Sequence, residues 1–368
     1  MKASRYRRLS ADLARALVLA LLCAGAVFDA ARAQSISVAL PAEVHSTIVV
    51  GDTSPAPGRG FNNPVYLPPP SRPEYSGIVA LVFNNPDGSV ASACSGTLIA
   101  SRKILTSASC AAAPNARGFT ARFRNADGSY TAITGTDVAI PAGPGADQNG
   151  ERNIGVLTLD ADAPGFARRY SLFGGNPLID FTMAGYGNTG TGLTGDVISS
   201  GLFGAEPVLR SGRNHFDYST AAIGITPDPG DPQLDANGAI LFADFDPEGE
   251  SGGGRYCDRN RFCGVGIANE SGLGGGDLGS AAFTDTWSIV GVASFFGDAG
   301  PPIGRFGSVF GYLCVSNYAR NRGCKENFDF VTAQLQTPTL VPEPATGAML
   351  LIGVLLLAPL GRRMRATR

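Results

Sequence analysis

The sequence predicts an all-β body, and three observations carry that expectation. Short runs rich in β-branched and aromatic residues recur along the chain. Gly-centred turn signals separate them, and helical periodicity is confined to NFDFVTAQL near the end of the body. In order, the runs are IVALVF (78–83), SACSGTLIA (92–100), FTARF (119–123), IGVLTL (154–159), FTMAGYG (181–187), AILFADF (239–245) and WSIVGVASFF (287–296). Turns such as Pro86-Asp87-Gly88 and Ala126-Asp127-Gly128 punctuate them. The body, 75–336, is about 260 residues long, which suits one large all-β unit or two small barrels sharing a cleft.

The ends read differently from the body. Lys2, Arg5, Arg7, Arg8 and Arg15 precede the apolar run ALVLALLCAGAVF, and Ala31-Arg32-Ala33 follows as a small-x-small cleavage site. Residues 1–33 are therefore expected to be a cleavable export signal, too short in its apolar part for a span. Leu22 before Cys23 disfavours lipidation. Residues 34–74, with SPAPGRG and PPPSRP, read as a Pro/Gly-rich leader or linker. The C-terminal segment 337–368 holds Pro342-Glu343-Pro344, an apolar run over 345–360, then Arg362, Arg363, Arg365 and Arg368. Apolar residues followed by arginines form a stop-transfer pattern with the basic end cytoplasmic. The tail resembles the PEP-CTERM sorting tails of exported Gram-negative proteins. That resemblance implies transient inner-membrane anchoring through 345–360 and recognition by an exosortase-type peptidase. A plain C-terminal anchor is the alternative, and both readings put the chain at the cell surface or outside the cell.

The whole chain carries 29 basic and 31 acidic residues. The signal takes away six basic and two acidic residues and the segment 345–368 four basic ones, leaving 19 against 29, about −10. Such a body is unsuited to nucleic acid or an anionic membrane surface. Without Cys23, six cysteines remain, an even count that suggests disulfides in an exported chain. Their clustering predicts Cys94–Cys110, Cys257–Cys263 and Cys314–Cys324, one of fifteen connectivities. With no CxxC and only His45 and His215, no zinc site is expected, and no cofactor.

The stretch CSGTLIASRKILTSASC (94–110) is a strand, a turn and a strand with a cysteine at each end. ERNIGVLTLD, FTMAGYGNTGTG, LFADFD, GGGDLGSAAF (274–283) and WSIVGVASFFG follow in that order. Over about residues 75–325 this resembles the trypsin-like (chymotrypsin-fold) serine proteases. The resemblance implies two six-stranded Greek-key barrels packed across a cleft, with a short helix near the C-terminus of the body. It also implies a serine, a histidine and an aspartate at three positions. Here the nucleophile position, between Asp277 and Gly279, is Leu278; the histidine position, before Cys110, is Ser109; and the aspartate position, before Ile154, is Asn153.

The chemistry requires a hydroxyl, an imidazole to take its proton and a carboxylate to support the imidazolium. Leu278 offers no nucleophile, Ser109 is no general base near neutral pH, and Asn153 has no carboxylate. The resemblance also marks the Gly276 and Leu278 amides as a former oxyanion hole, Gly272 as the base of a former specificity pocket, and Ser294, Phe295 and Gly297 as its peptide-pairing strand. Asp277 is the family's acceptor for a new amino terminus. Ser76-Gly77-Ile78-Val79 can be read as that start, and a structural carboxylate bonded to backbone is the alternative. Other candidates are weaker. His215 lies beside Asp217 and near Ser211, His45 is in the leader, and Ser280 sits off the sharp turn. Asp244, Asp246, Glu248 and Gly249 imitate the opening of a calcium loop, but Arg255 stands at the distal glutamate position.

The expected function is that of an inactive serine protease homologue: an exported surface or extracellular-matrix protein that binds or supports others. Its partners would be the sorting peptidase and a peptide, protein or exopolysaccharide. The alternative is an active secreted serine endopeptidase with a rearranged site.

Overall fold

Three consecutive β-branched residues, Ile48, Val49 and Val50, form the first strand, β1 (Ile48–Val50), all fully buried. The structure is a computed structural model. It describes residues 48–112, 118–142, 151–197, 207–220, 238–247, 266–296 and 303–336. The signal, His45, Cys257, Cys263, Glu248, Gly249, Arg255, Gly297 and the Pro342-Glu343-Pro344 tail lie outside the described residues.

Six strands close a barrel: β2 (Ile78–Asn84), β3 (Val90–Ala100), β4 (Lys103–Thr106), β5 (Phe119–Arg124), β6 (Tyr130–Ala139) and β7 (Gly155–Leu159). The order around the ring is β2-β3-β4-β7-β6-β5. Alternate residues fill it: Val79, Leu81 and Phe83 from β2, Phe119, Ala121 and Phe123 from β5, with Leu98, Ile104, Leu157 and Leu159. The intervening residues Ile78, Ala80, Leu105 and Val156 pack outward against Ala184, Tyr186, Ala281 and Val292 of the second half. Both faces are therefore buried, which is why IVALVF is apolar throughout rather than alternating.

Two hairpins of this barrel share one turn chemistry. Asn85-Pro86-Asp87-Gly88-Ser89 joins β2 to β3 and Asn125-Ala126-Asp127-Gly128-Ser129 joins β5 to β6. In each, the aspartate accepts from the serine N–H at 2.9 Å and from its hydroxyl at 2.6 Å. Strands β2 and β5 pair antiparallel with Val79 opposite Phe123 and Phe83 opposite Phe119, so the hairpins relate by a two-fold through the Leu81–Ala121 pair.

The second half has β8 (Asp180–Gly185), β9 (Thr189–Thr191), β10 (Gly195–Val197), β11 (Arg210–His215), β12 (Tyr218–Thr220), β13 (Ile240–Asp244), β14 (Ser271–Gly272), β15 (Ala281–Phe283), β16 (Ile289–Phe296) and β17 (Val309–Cys314). Seven of these form one antiparallel sheet in the order β11-β8-β15-β16-β17-β13-β12. Its two edge strands are consecutive in the chain, joined at Phe216-Asp217. There the Phe216 N–H donates to Ile179 and the Asp217 N–H to Phe242, at 3.1 and 2.9 Å. One bent strand thus supplies both edges, and the sheet curls into a half-barrel around Phe181, Met183, Phe216, Leu241, Phe310 and Tyr312. A small sheet, β10-β9-β1-β14, adjoins it. The all-β class and the paired barrel and half-barrel agree with the expectation.

Two short helices complete the described body. Ser107 caps α1 (Ala108–Ala111), accepting from the Cys110 N–H. Asn321 caps α2 (Arg322–Gln336), accepting from the Cys324 N–H at 2.8 Å. Disulfides Cys94–Cys110 and Cys314–Cys324 anchor these helices to β3 and β17, as the spacing predicted.

One boundary needs correction. Residues 48–74, expected within a linker, belong to the body. Strand β1 pairs with β9 and β14, and short 3-10 turns at Gly60–Asn62, Pro64–Tyr66 and Pro73–Tyr75 bury Tyr66 and bring Tyr75 against Trp287. Fixed proline φ angles make such a segment stiff rather than loose, and its edges were too short to show periodicity.

Candidate functional site

The loop Gly274–Ser280 and the α1 turn meet between the two halves. Asp277 is completely buried. Its carboxylate accepts the N–H groups of Gly187 at 2.8 Å and Gly274 at 2.9 Å, and a third from Ile48. Burial pushes its pKa up to about 7, and neighbouring Asp196 adds to the rise, while the N–H bonds pull the other way. Gly187 has to be glycine, because a Cβ there would lie 2.5 Å from the Asp277 nitrogen. The Ala-Gly-Tyr-Gly strand thus makes room for this aspartate. Gly279 has φ +86°, and a Cβ would lie 2.1 Å from the Thr106 hydroxyl.

The residue that meets Asp277 from the N-terminal side is Ile48, not Ile78. Ile78 sits in β2 opposite Thr97. The signal that could have found Ile48 is the β-branched run Ile-Val-Val before Gly51, a buried-strand pattern inside an otherwise Pro/Gly-rich segment.

Ser109 and Asn153 come together with Ser294 as a neutral network. The Asn153 side chain is fully buried. Its Oδ1 accepts the Ser109 N–H at 2.7 Å, and its Nδ2 donates to the Ser294 carbonyl at 3.0 Å and to Ser294 Oγ at 2.8 Å. An amide can accept on one side and donate on the other; a carboxylate would face the Ser294 carbonyl oxygen lone pair to lone pair. The Ser109 hydroxyl is 3.1 Å from that of Ser107. The Leu278 side chain packs against the first barrel's core, which includes Cys94, Cys110 and Ala111, and its carbonyl accepts the Ser95 N–H at 3.0 Å. Ser280 is fully buried, with its N–H bonded to the Asp277 carbonyl.

The Gly276 and Leu278 N–H groups make no hydrogen bond to another described residue, and both residues are partly exposed. Gly272 and Phe295, expected at a former specificity pocket, lie among aromatic rings. Gly272 of β14 pairs with Val49 and lies against Phe245, whose ring meets that of Phe306 at a tilt. Ser294 is buried, and Phe295 turns inward over Gly311 and against Phe242.

His215 finds a carboxylate, but not the neighbour expected. Its Nδ1 is 2.6 Å from Asp180 Oδ1 across the β8–β11 pair. Asp217 is raised to about 6 by burial, and His215 pulls it back down. No hydroxyl of a described residue bonds to the imidazole. Asp244 and Asp246 are buried, not arranged as an open loop; the Asp246 N–H goes to Glu270, whose burial raises it to about 8. Among the described residues no helix is long and apolar enough to cross a membrane.

No protein-family model and no curated protein matches this sequence. Among solved structures, HL collagenase aligns with a TM-score of 0.44 and 14% identity, over 71% of this chain and 94% of its own. Neuropsin, a serine protease expressed in the limbic system of mouse brain, aligns with a TM-score of 0.43 and 14% identity, over 73% and 97%.

Proposed function

We propose that this chain is an exported, non-hydrolytic counterpart of the trypsin-like serine proteases, serving as a binding or structural protein at the cell surface or in the extracellular matrix. The Asn153 relay carries the reading. The position where such chemistry needs a carboxylate is a neutral amide with Oδ1 and Nδ2 both committed, and no imidazole stands at Ser109. The disulfides favour an oxidising compartment outside the cytoplasm. The Pro342-Glu343-Pro344 tail would direct the chain to an exosortase-type peptidase through transient anchoring. The open Gly276 and Leu278 amides offer an extended peptide one point of attachment.

A second reading, a hydrolase with a rearranged site, has one observation in its favour: the His215–Asp180 pair, an imidazole with a carboxylate behind it. Fluorophosphonate labelling of purified residues 34–344, with mass spectrometry to locate adducts, separates the two. The binding-scaffold reading expects no adduct beside a trypsin control that labels. A stoichiometric adduct on any serine, Ser109 or Ser280 included, overturns it.

A further inference from the structure

Trp287 is the only tryptophan of the chain, and it occupies a strained place. Its φ is +65°, in the turn joining β15 to β16, where its N–H donates to Thr284 at 2.8 Å and the Thr284 N–H donates to Ser288 at 2.9 Å. A left-handed residue there is ordinarily glycine, so a side chain at this position is strained. The strain sets the indole at the centre of an aromatic cluster. Tyr75 meets it edge to face at 4.7 Å, Phe283 lies at 5.3 Å and Tyr170 at 6.4 Å.

Over this cluster lies Arg168. Its guanidinium carbon is 5.4 Å from the Tyr170 ring centre and 5.9 Å from that of Trp287. The stacked side chain makes no hydrogen bond or ion pair with a described residue, and Arg168 is only partly buried. Arg72, over the Tyr75 ring, is committed to Glu74, and Arg169, next to Arg168 in the chain, is exposed. Glu74, which feels the charge of Arg168, is already taken by Arg72. A guanidinium lying over two rings is attracted to their π faces while its N–H groups stay available to a carboxylate.

Beside it, Phe166 exposes 48% of its surface. Ser76 ties the two together, its hydroxyl donating to the Phe166 carbonyl at 3.1 Å and accepting the Arg168 N–H at 3.0 Å. The site therefore pairs a cation that has no partner among the described residues with one apolar face. The body's charge of about −10, from 19 basic and 29 acidic residues over 34–344, repels a polyanion. A single carboxylate on an otherwise apolar segment meets both conditions.

We infer that Arg168, clamped over Tyr170 and Trp287 beside Phe166, is a docking site for a partner protein's peptide segment that presents a carboxylate next to an apolar side chain. None of its residues belongs to the Ser109–Asn153–Leu278 network, so labelling of a serine would leave this inference standing.

Trp287 is its own reporter. The full chain in detergent is titrated at constant ionic strength with 3-phenylpropionate, its uncharged amide and glucuronate, following tryptophan emission. The expected result is a saturable shift with 3-phenylpropionate. The amide and glucuronate should bind at least about tenfold more weakly, the scale of one charge-assisted pair. Arg168→Gln should abolish the shift, while Arg169→Gln, its exposed neighbour, should leave it intact. An equal response to the amide overturns the inference, as does wild-type titration by Arg168→Gln. Glucuronate binding as well as 3-phenylpropionate would overturn the peptide assignment in favour of an acidic sugar. Should Arg168→Gln fail to fold, the three probes on the unaltered chain still decide.

Discussion

The two sides of the central network differ in what they keep. On the side of the half-barrel, the loop around Asp277 is held by bonds that shape backbone: three N–H groups on one carboxylate, and glycines where a side chain would collide. On the side of the closed barrel, Ser109 and Asn153 occupy positions where reacting groups would be needed, and they form a neutral relay to Ser294. The first set bears on folding, because a buried donor without an acceptor is expensive. The second has its polar atoms satisfied just as well without charge. A loop of this shape is thus no guide to whether a hydroxyl will be activated.

The strongest way to break the comparison is to remove the loop's anchor. Asp277→Ala would leave the Gly187, Gly274 and Ile48 N–H groups buried without their acceptor. A loss of about 3 kcal/mol or more is expected in chemical denaturation, with no counterpart at Ser109→Ala. The same carboxyl has a pH signature. Its folded pKa, raised to about 7, exceeds the ordinary carboxylate value of 3.8. The folded state therefore holds a proton that the unfolded chain has given up between these values. This contribution to stability is complete below pH 3.8 and is lost as pH rises to about 7. Asp277→Asn should flatten that part of the stability profile. A slope unchanged by the substitution would show that the N–H bonds, not burial, govern the group.

This contrast also explains what could be read in the chain. The seven runs from IVALVF to WSIVGVASFF were legible as strands, because β-branched and aromatic residues between Gly-centred turns allow little else, whereas β6 and β17 were not among them. Cys94 and Cys110 were legible because they bracket a single strand pair. Strand β1 was not, since three residues in a Pro/Gly-rich stretch show no period, and only pairing with β9 and β14 makes Ile48–Val50 a strand. At Asn153 the residue type was visible but not its use: the acceptor for Ser109 and the donor to Ser294 depend on contacts far away in the sequence. The Arg168 clamp was hidden for the same reason, because Tyr170 and Trp287 come from different elements. His215 illustrates the converse: its sequence neighbour Asp217 was named, and the partner is Asp180, across a strand pair.

A middle-sized effect tests the relay. Asn153→Asp would keep the acceptor for Ser109, and the Ser294 hydroxyl can rotate to donate to the new carboxylate. The Ser294 carbonyl cannot adapt, and a buried charge without a cationic partner adds to the penalty. A loss of about 2 kcal/mol is expected, growing as pH rises above the carboxyl's pKa. A neutral result in thermal and chemical unfolding would mean that the relay is incidental, and that the aspartate is missing for want of use rather than want of fit.

The smallest effect bears most directly on function. Leu278→Ser removes an apolar side chain only partly buried against the first barrel, so about 1 kcal/mol is expected to be lost. The loop should keep its shape, since Gly279 and Asp277 hold it through backbone bonds that do not involve the side chain at 278. The serine would then stand beside the open Gly276 amide, with Ser109 and Asn153 as its neighbours and no group able to take its proton near neutral pH. Fluorophosphonate labelling of Leu278→Ser should stay at the level of the unaltered chain. Adding Ser109→His and Asn153→Asp should be required before an adduct forms. If the single substitution labels, a base is within reach of position 278 that the Ser109–Asn153–Ser294 relay does not supply, and the division between a retained frame and absent chemistry fails.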